Sequence, residues 1–286
     1  MVEPVFCLTL PRERRSCAVF SSPHSGSDYA AAVMGASRLP LKQLRSSEDA
    51  FVDELFAAAP DLGAPLLAAR VPRACVDLNR SPDDLDPALI AGASRRFLNP
   101  RIAAGLGVIP RVVAEGRPIL EGKLTLGEAE RRIARYYYPY HERLRSLLDE
   151  SRARFGLGIL FDCHSMPHDA LTAAPSVWGR RPNLILGDRF GVACERWLID
   201  SATDIFTAAG FVVARNAPFA GGYITQTYGR PQAGLHALQI EVDRALYMDE
   251  ACVEKLPDFD EVRASLALAM AELVRVGPRV VPVAAE

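Results

Sequence analysis

The sequence predicts an α/β fold: three layers about a mostly parallel, mixed central sheet. Three observations predict it. Short apolar runs rich in β-branched residues alternate with longer helical patterns. Several runs are apolar without interruption, as strands covered on both faces are. Polar residues able to do chemistry follow those runs, where ligands bind in open α/β sheets.

Taken in order, residues 5–10 and 17–21 read as the first two strands. Residues 47–59 read as a helix, because Ser-Ser-Glu-Asp supplies a cap and an acidic first turn. Strands follow at 65–70 and 74–77. Residues 80–122, rich in Pro, Gly and Ala, show little periodicity and read as a long loop. Residues 126–154 form an amphipathic helical pattern that Pro139 should kink or divide. Further strands are predicted at 158–162, 184–186, 211–215 and 238–242, and further helices at 189–209 and 259–276. Between them, 216–234 (NAPFAGGYITQTYGRPQAG) has a Gly-Gly pair and three aromatics. It reads as an ordered loop that contacts a ligand.

The 286 residues carry a formal net charge of −2, which argues against a general nucleic-acid binder but leaves room for a local basic pocket. No apolar run has the length of a membrane span, and the first residues lack the basic region of a signal peptide. The six cysteines include no C-x-x-C pair and several lie in apolar runs, so buried free thiols in a cytoplasmic protein are expected. With no long polar linker, a single domain over 1–286 is expected, as a monomer or small homo-oligomer.

His24 follows the second strand in SPHSG, and Asn79 and Arg80 end DLNR. His164 ends the apolar run of ILFDCHS, and Glu241 sits inside LQIEVDR. Glu48 and Asp49 open the first predicted helix. Two histidines and a carboxylate make a catalytic zinc site, a further carboxylate can move a proton, and an arginine can hold a substrate carboxylate. Asp162 alternates to the side of His164 and is a partner for its ring. Each residue alone also has a plain structural reading: a hydrogen-bonded strand-end histidine, a turn, a solvated arginine.

Seven segments extend the reading: SSPHSG (21–26), EDAFVDELF (48–56), RACVDLNR (73–80), YYYPYHERL (136–144), LFDCHSMP (160–167), 216–231 and HALQIEVDRALYMDE (236–250). In these, and in their order, the chain resembles the N-formylglutamate amidohydrolase family. That family is similar to the zinc carboxypeptidases and to the deacylases of aspartate and succinylglutamate. The resemblance implies their zinc-carboxypeptidase/phosphorylase-hydrolase-like fold and one zinc ion per chain. It implies His24 and His164 as ligands, with Asp49 as the acidic ligand and Glu48 as the alternative. The position three residues after the first histidine, acidic in the carboxypeptidases, is Ser27 here. Glu241 would be the general base and Asp53 a residue that orients a ligand. Asn79 and Arg80, assisted by Arg73, would hold the substrate carboxylate, and Tyr223, Thr225 and Arg230 would cover it. The implied reaction is hydrolysis of N-formylglutamate to formate and glutamate, as in histidine degradation. The alternatives are carboxypeptidase-like cleavage, another N-acyl amino acid deacylase, and a non-catalytic binding module. Of the other histidines, His141 is divided between packing and the site, His236 is a lesser candidate for a substrate carboxylate, and His168 has no assigned role.

Overall fold

Two nine-residue strands form the middle of the molecule. The computed structural model describes residues 5–29, 37, 39–94 and 99–277. The strands of the main sheet are β1 (Phe6–Thr9), β2 (Ala18–Ser22), β3 (Leu66–Ala69), β4 (Gly158–Met166), β5 (Leu184–Gly187), β6 (Val213–Arg215) and β7 (Leu235–Asp243). They form one sheet in the order β1-β3-β2-β4-β7-β5-β6. The β3-β2-β4-β7 stretch and the β5–β6 pair are parallel, while β1–β3 and β5–β7 are antiparallel. The sheet is therefore mixed with a parallel centre. Every residue of β4 is buried, as expected of an interior strand covered on both faces.

Side-chain alternation gives the sheet two faces. Phe20, Ile159, Phe161, Leu238 and Ile240 face the helices Arg196–Ala208 and Phe259–Leu273. Val19, Leu160 and Ala237 pack with the long helix Tyr138–Phe155 through Tyr140, Leu144 and Leu147. The second face changes character along the strands. By the same parity, Leu160 is followed by Asp162 and His164, and Ala237 by Gln239 and Glu241. The β4–β7 register sets His164 opposite Glu241 and Asp162 opposite Gln239. β2 pairs with β4 only as far as Asp162, so the polar end of β4 extends past β2's last pairing.

Three expectations need correction. Residues 74–77 are not a strand: Pro72 starts a turn, with its carbonyl accepting from Cys75 N at 2.9 Å. The helix expected at 47–59 is reduced to Val52–Leu55, because Phe51 is left-handed (φ 65°) and a β-branched or bulky residue there interrupts a right-handed helix. The helix expected from 189 begins at Arg196, after Arg189 and Phe190 adopt positive φ. At Pro139 the long helix continues. A π-helical turn, Ile133–Tyr137, joins Leu126–Arg132 to Tyr138–Phe155, widening the chain where the proline ring would crowd the carbonyl of Arg135. The loop at 216–234 contains a short helix, Tyr223–Tyr228. Among the described residues no helix is long and apolar enough to cross a membrane.

His141 belongs to the packing between the long helix and the chain leading to the site. Its ring stacks on Tyr137, with centroids 4.1 Å apart. Nε2 lies 2.9 Å from the carbonyl of Leu78, which can only accept, so Nε2 carries the proton and Nδ1 accepts from Tyr228 Oη at 2.9 Å. That bond fixes the backbone just before Asn79. Burial depresses the pKa of His141 to about 4. The unfolded chain therefore takes up this proton first as the pH falls. Stability from the neutral ring is complete above about pH 6.5 and lost as the pH drops toward 4, by on the order of 3 kcal/mol. Urea unfolding of the wild type and His141→Gln across that range should show a shallower pH dependence in the variant.

Candidate functional site

The chain leaves β2 through Ser22 and Pro23 and turns His24 inward over the polar end of the sheet. The carbonyl of His24 accepts from Asp49 N at 3.0 Å, which brings the 46–51 stretch across the rim. There Asp49 Oδ2 lies 2.9 Å from His164 Nδ1 and 3.4 Å from His24 Nδ1. One ligand atom from each of His24, Asp49 and His164 falls within 4.8 Å of the others, and all three residues are buried. Glu48 turns the other way, to Arg45 Nε (3.1 Å) and the Tyr29 hydroxyl (2.6 Å).

The far nitrogens of both rings meet acceptors. His24 Nε2 lies 2.8 Å from Asp77 Oδ1, and His164 Nε2 lies 3.0 Å from Asp162 Oδ2. At His24 the carboxylate at Nε2 favours the proton there and leaves the Nδ1 lone pair for a ligand. His24 Nδ1 is buried and has no hydrogen-bond partner. Burial opposes charge on His164, but Asp162 and Asp49 outweigh it and raise its pKa well above the ordinary range. Against the same burial, the two imidazoles hold Asp49 well below the usual carboxylate range, and Arg73, Arg80 and His24 do so for Asp77. The group thus demands positive charge at its centre. Two imidazole nitrogens and a carboxylate oxygen, converging and oriented from behind, fit a divalent cation.

Glu241 stands beside His164 on β7. Burial pushes its carboxyl up to about 7, with Asp49 adding to the rise and His164, Arg73 and Arg244 opposing it. Gln239 Nε2 donates to its Oε1 at 2.8 Å. A cavity of about 720 Å³ opens over these residues, walled also by Arg73, Asn79, Arg80 and Arg244.

The proposed substrate residues divide. Arg73 donates from Nε to Asp77 Oδ2 at 3.0 Å and is a quarter exposed. Arg80 spends Nε on Leu106 O and Nη1 on Asn79 O. Asn79 Nδ2 lies 3.2 Å from His164 Nε2, while its Oδ1 accepts from Ile224 N at 2.7 Å. Tyr223, Thr225 and Arg230 do not line this cavity. Tyr223 packs toward His141 and Tyr137. Thr225 is fully buried, its hydroxyl donating to Gly222 O at 2.9 Å. Arg230 is exposed and pairs through its backbone with Leu235, at the opposite end of β7 from Glu241. The part of the loop that reaches the cavity is Pro218 to Gly222. Asp53 and His236 do not line the cavity either, and His168 Nδ1 lies 2.8 Å from Asp243 Oδ2.

Arg244 is a site residue that the sequence reading passed over. It is buried just after β7, donates from Nη2 to Asp49 Oδ1 at 3.0 Å, and reaches Ser165 Oγ with Nε at 3.2 Å. Its one signal was the arginine three residues after Glu241. Asp77 and Gln239 were likewise quoted within motifs without a role.

Comparison with known proteins follows the same geography. A profile of the N-formylglutamate amidohydrolase family matches residues 16–248. The chain is 34% identical over 238 residues to an N-formylglutamate deformylase of Pseudomonas putida, covering 81% of this chain and 82% of that one. It is 32% identical over 236 residues to an N-formylglutamate deformylase of Pseudomonas aeruginosa, with the same coverage. The crystal structure of N-formylglutamate amidohydrolase from Ralstonia eutropha JMP134 superposes with a TM-score of 0.87 at 37% identity, covering 94% of this chain and 98% of that one.

Replacing Arg244 by Met leaves the buried Asp49 carboxylate without its guanidinium. The two histidines remain on Asp49, so the expected loss is about 1.5–3 kcal/mol, the usual worth of a hydrogen bond to a charged group. Guanidinium unfolding of the metal-free protein measures it directly; a change below about 1 kcal/mol would show the contact to be energetically idle.

Proposed function

The chain belongs to the N-formylglutamate amidohydrolase family, and on that premise we propose that it hydrolyses the formamide bond of N-formylglutamate, adding water and releasing formate and glutamate. The observation that carries the reading is the placement of Glu241: a buried carboxyl with a pKa of about 7, in register with His164 and next to the His24–Asp49–His164 group. Zinc is the cation proposed for that group, held by His24 Nδ1, Asp49 Oδ2 and His164 Nδ1; when bound it supplies polarisation of the formyl carbonyl and acidification of a water.

The remaining work falls to the side chains. Glu241 takes the proton of the attacking water and delivers it to the departing nitrogen. A pKa near the operating pH suits both transfers. Gln239, donating to Oε1, keeps the carboxylate aimed across the strand pair. Arg73, partly exposed on the wall, donates to the oxygen on which negative charge develops. Asn79 and Arg80 hold the substrate's α-carboxylate, Arg80 through the Nη2 that its two backbone bonds leave over. Asp77 and Asp162 hold the imidazoles in place. The cavity volume favours a second reading alongside the first: about 720 Å³ admits acyl groups larger than formyl, so the same groups would serve another N-acyl amino acid.

Formate release from N-formylglutamate by the zinc-loaded protein tests the proposal. Glu241→Gln should keep the fold and lower kcat by about 10²–10⁴. Full activity in that variant would remove Glu241 from the chemistry. N-acetylglutamate turned over faster than N-formylglutamate would move the substrate to the second reading.

A further inference from the structure

Next to the main cavity lies a second recess of about 420 Å³, and the two share Asn79, Arg80, Arg101 and Gly222 in their walls. Three arginines from three separate segments line it: Arg80, Arg101 and Arg189. Its one acidic wall residue, Asp84, is already engaged, accepting from Asn99 Nδ2 at 3.0 Å. Neither Arg101 nor Arg189 pairs with a carboxylate among the described residues. Arg189 Nε is buried without a hydrogen-bond partner. Burial lowers the pKa of Arg80, with Asp77 and Asp84 opposing the fall and the neighbouring Arg73 and Arg101 adding to it. Three guanidinium groups against one carboxylate leave an excess of positive charge in the recess, which an anionic ligand relieves.

The backbone that carries Arg189 is held in an uncommon conformation. Arg189 and Phe190 both lie in the left-handed region, at φ 56° and 57°. Asn216 pins them, accepting from Asp188 N at 3.1 Å and Phe190 N at 3.3 Å while donating to Asp188 Oδ1 at 2.7 Å. Arg189 N donates to Ala220 O at 2.7 Å. Non-glycine residues stay in such a conformation only where surroundings enforce it, and they cluster at ligand sites. The Gly221–Gly222 pair then separates Arg189 from the catalytic side. A Cβ on Gly221 would stand 2.9 Å from Arg189 Cγ, and one on Gly222 would stand 2.4 Å from Asn79 Nδ2. Asn79 in turn touches His164.

Resting on the hydrolase reading above, we infer that Arg101 and Arg189 form the subsite for the side-chain carboxylate of the substrate. They select N-acyl dicarboxylic amino acids over N-acyl amino acids with neutral side chains. Arg80, on both walls, stands between this subsite and the α-carboxylate. A site built to bind a charged group rejects the neutral isostere strongly, because its own cations are then left without a partner.

The test compares kcat/KM for N-formylglutamate and the neutral isostere N-formylglutamine in the zinc-loaded wild type, Arg189→Gln and Arg101→Gln. Circular dichroism and the thermal midpoint monitor folding. The wild type should strongly prefer the dicarboxylate, and each variant should lower that preference by about 10- to 100-fold, chiefly through KM for N-formylglutamate. Arg101→Gln, at an exposed position, decides the matter if Arg189→Gln fails to fold. A preference that survives in the folded variants, or an equal loss on both substrates, overturns the inference and leaves the hydrolase reading standing. A wild type inactive on N-formylglutamate overturns both.

Discussion

The carboxylate of Asp49 is the constraint around which the site is arranged. One of its oxygens lies between the Nδ1 atoms of two buried histidines, and the other accepts from a buried arginine. A buried carboxylate without partners costs several kcal/mol. These contacts offset that cost and tie together four distant parts of the chain: the turn after β2, the 46–51 stretch, the end of β4 and the residue after β7. The left-handed Phe51 belongs to the same arrangement. It ends the turn that points Asp49 inward and starts the next helix away from the rim.

The sheet supplies the rigid half. Nine consecutive parallel pairs between β4 and β7 leave His164 and Glu241 no freedom to slip relative to each other, since a one-residue shift would turn the shifted strand's side chain to the opposite face. That opposite face is filled by Phe161, Ile240 and their neighbours against two helices. The apolar core thus sets the position of the polar groups. Side chains held on strands are placed more accurately than those on loops. The loop side contributes Asn79, whose amide touches His164 and whose oxygen caps the helix Tyr223–Tyr228.

Much of this was legible in the sequence because the groups on strands follow a period of two. His164 follows the apolar run 159–161 after two intervening residues, and Glu241 interrupts another, so both stood out, and the structure brings them side by side. Seven of the eight predicted strands lie on observed strands for the same reason. The exception, 74–77, has β-branched content but lies in a turn begun by Pro72. Residues whose position depends on how loops fold were harder to read. Thr225 looked like cover for a substrate, yet local hydrogen bonding makes a helix of that stretch and turns it inward, while Tyr223 borders the smaller recess and not the main cavity. Arg244 escaped notice because its partner, Asp49, is distant in sequence and is brought near only by the fold. Arg101 and Arg189 carry no motif at all; only the recess they share makes them noticeable.

If His24, Asp49 and His164 together hold one divalent cation, removing one of them must weaken its binding. Calorimetric titration of zinc into metal-stripped wild type and Asp49→Asn tests it most directly. One ion per chain is expected in the wild type, with affinity lower by about a hundredfold or more in the variant. A wild type that binds no ion, or an Asp49→Asn that binds it equally tightly, would contradict it.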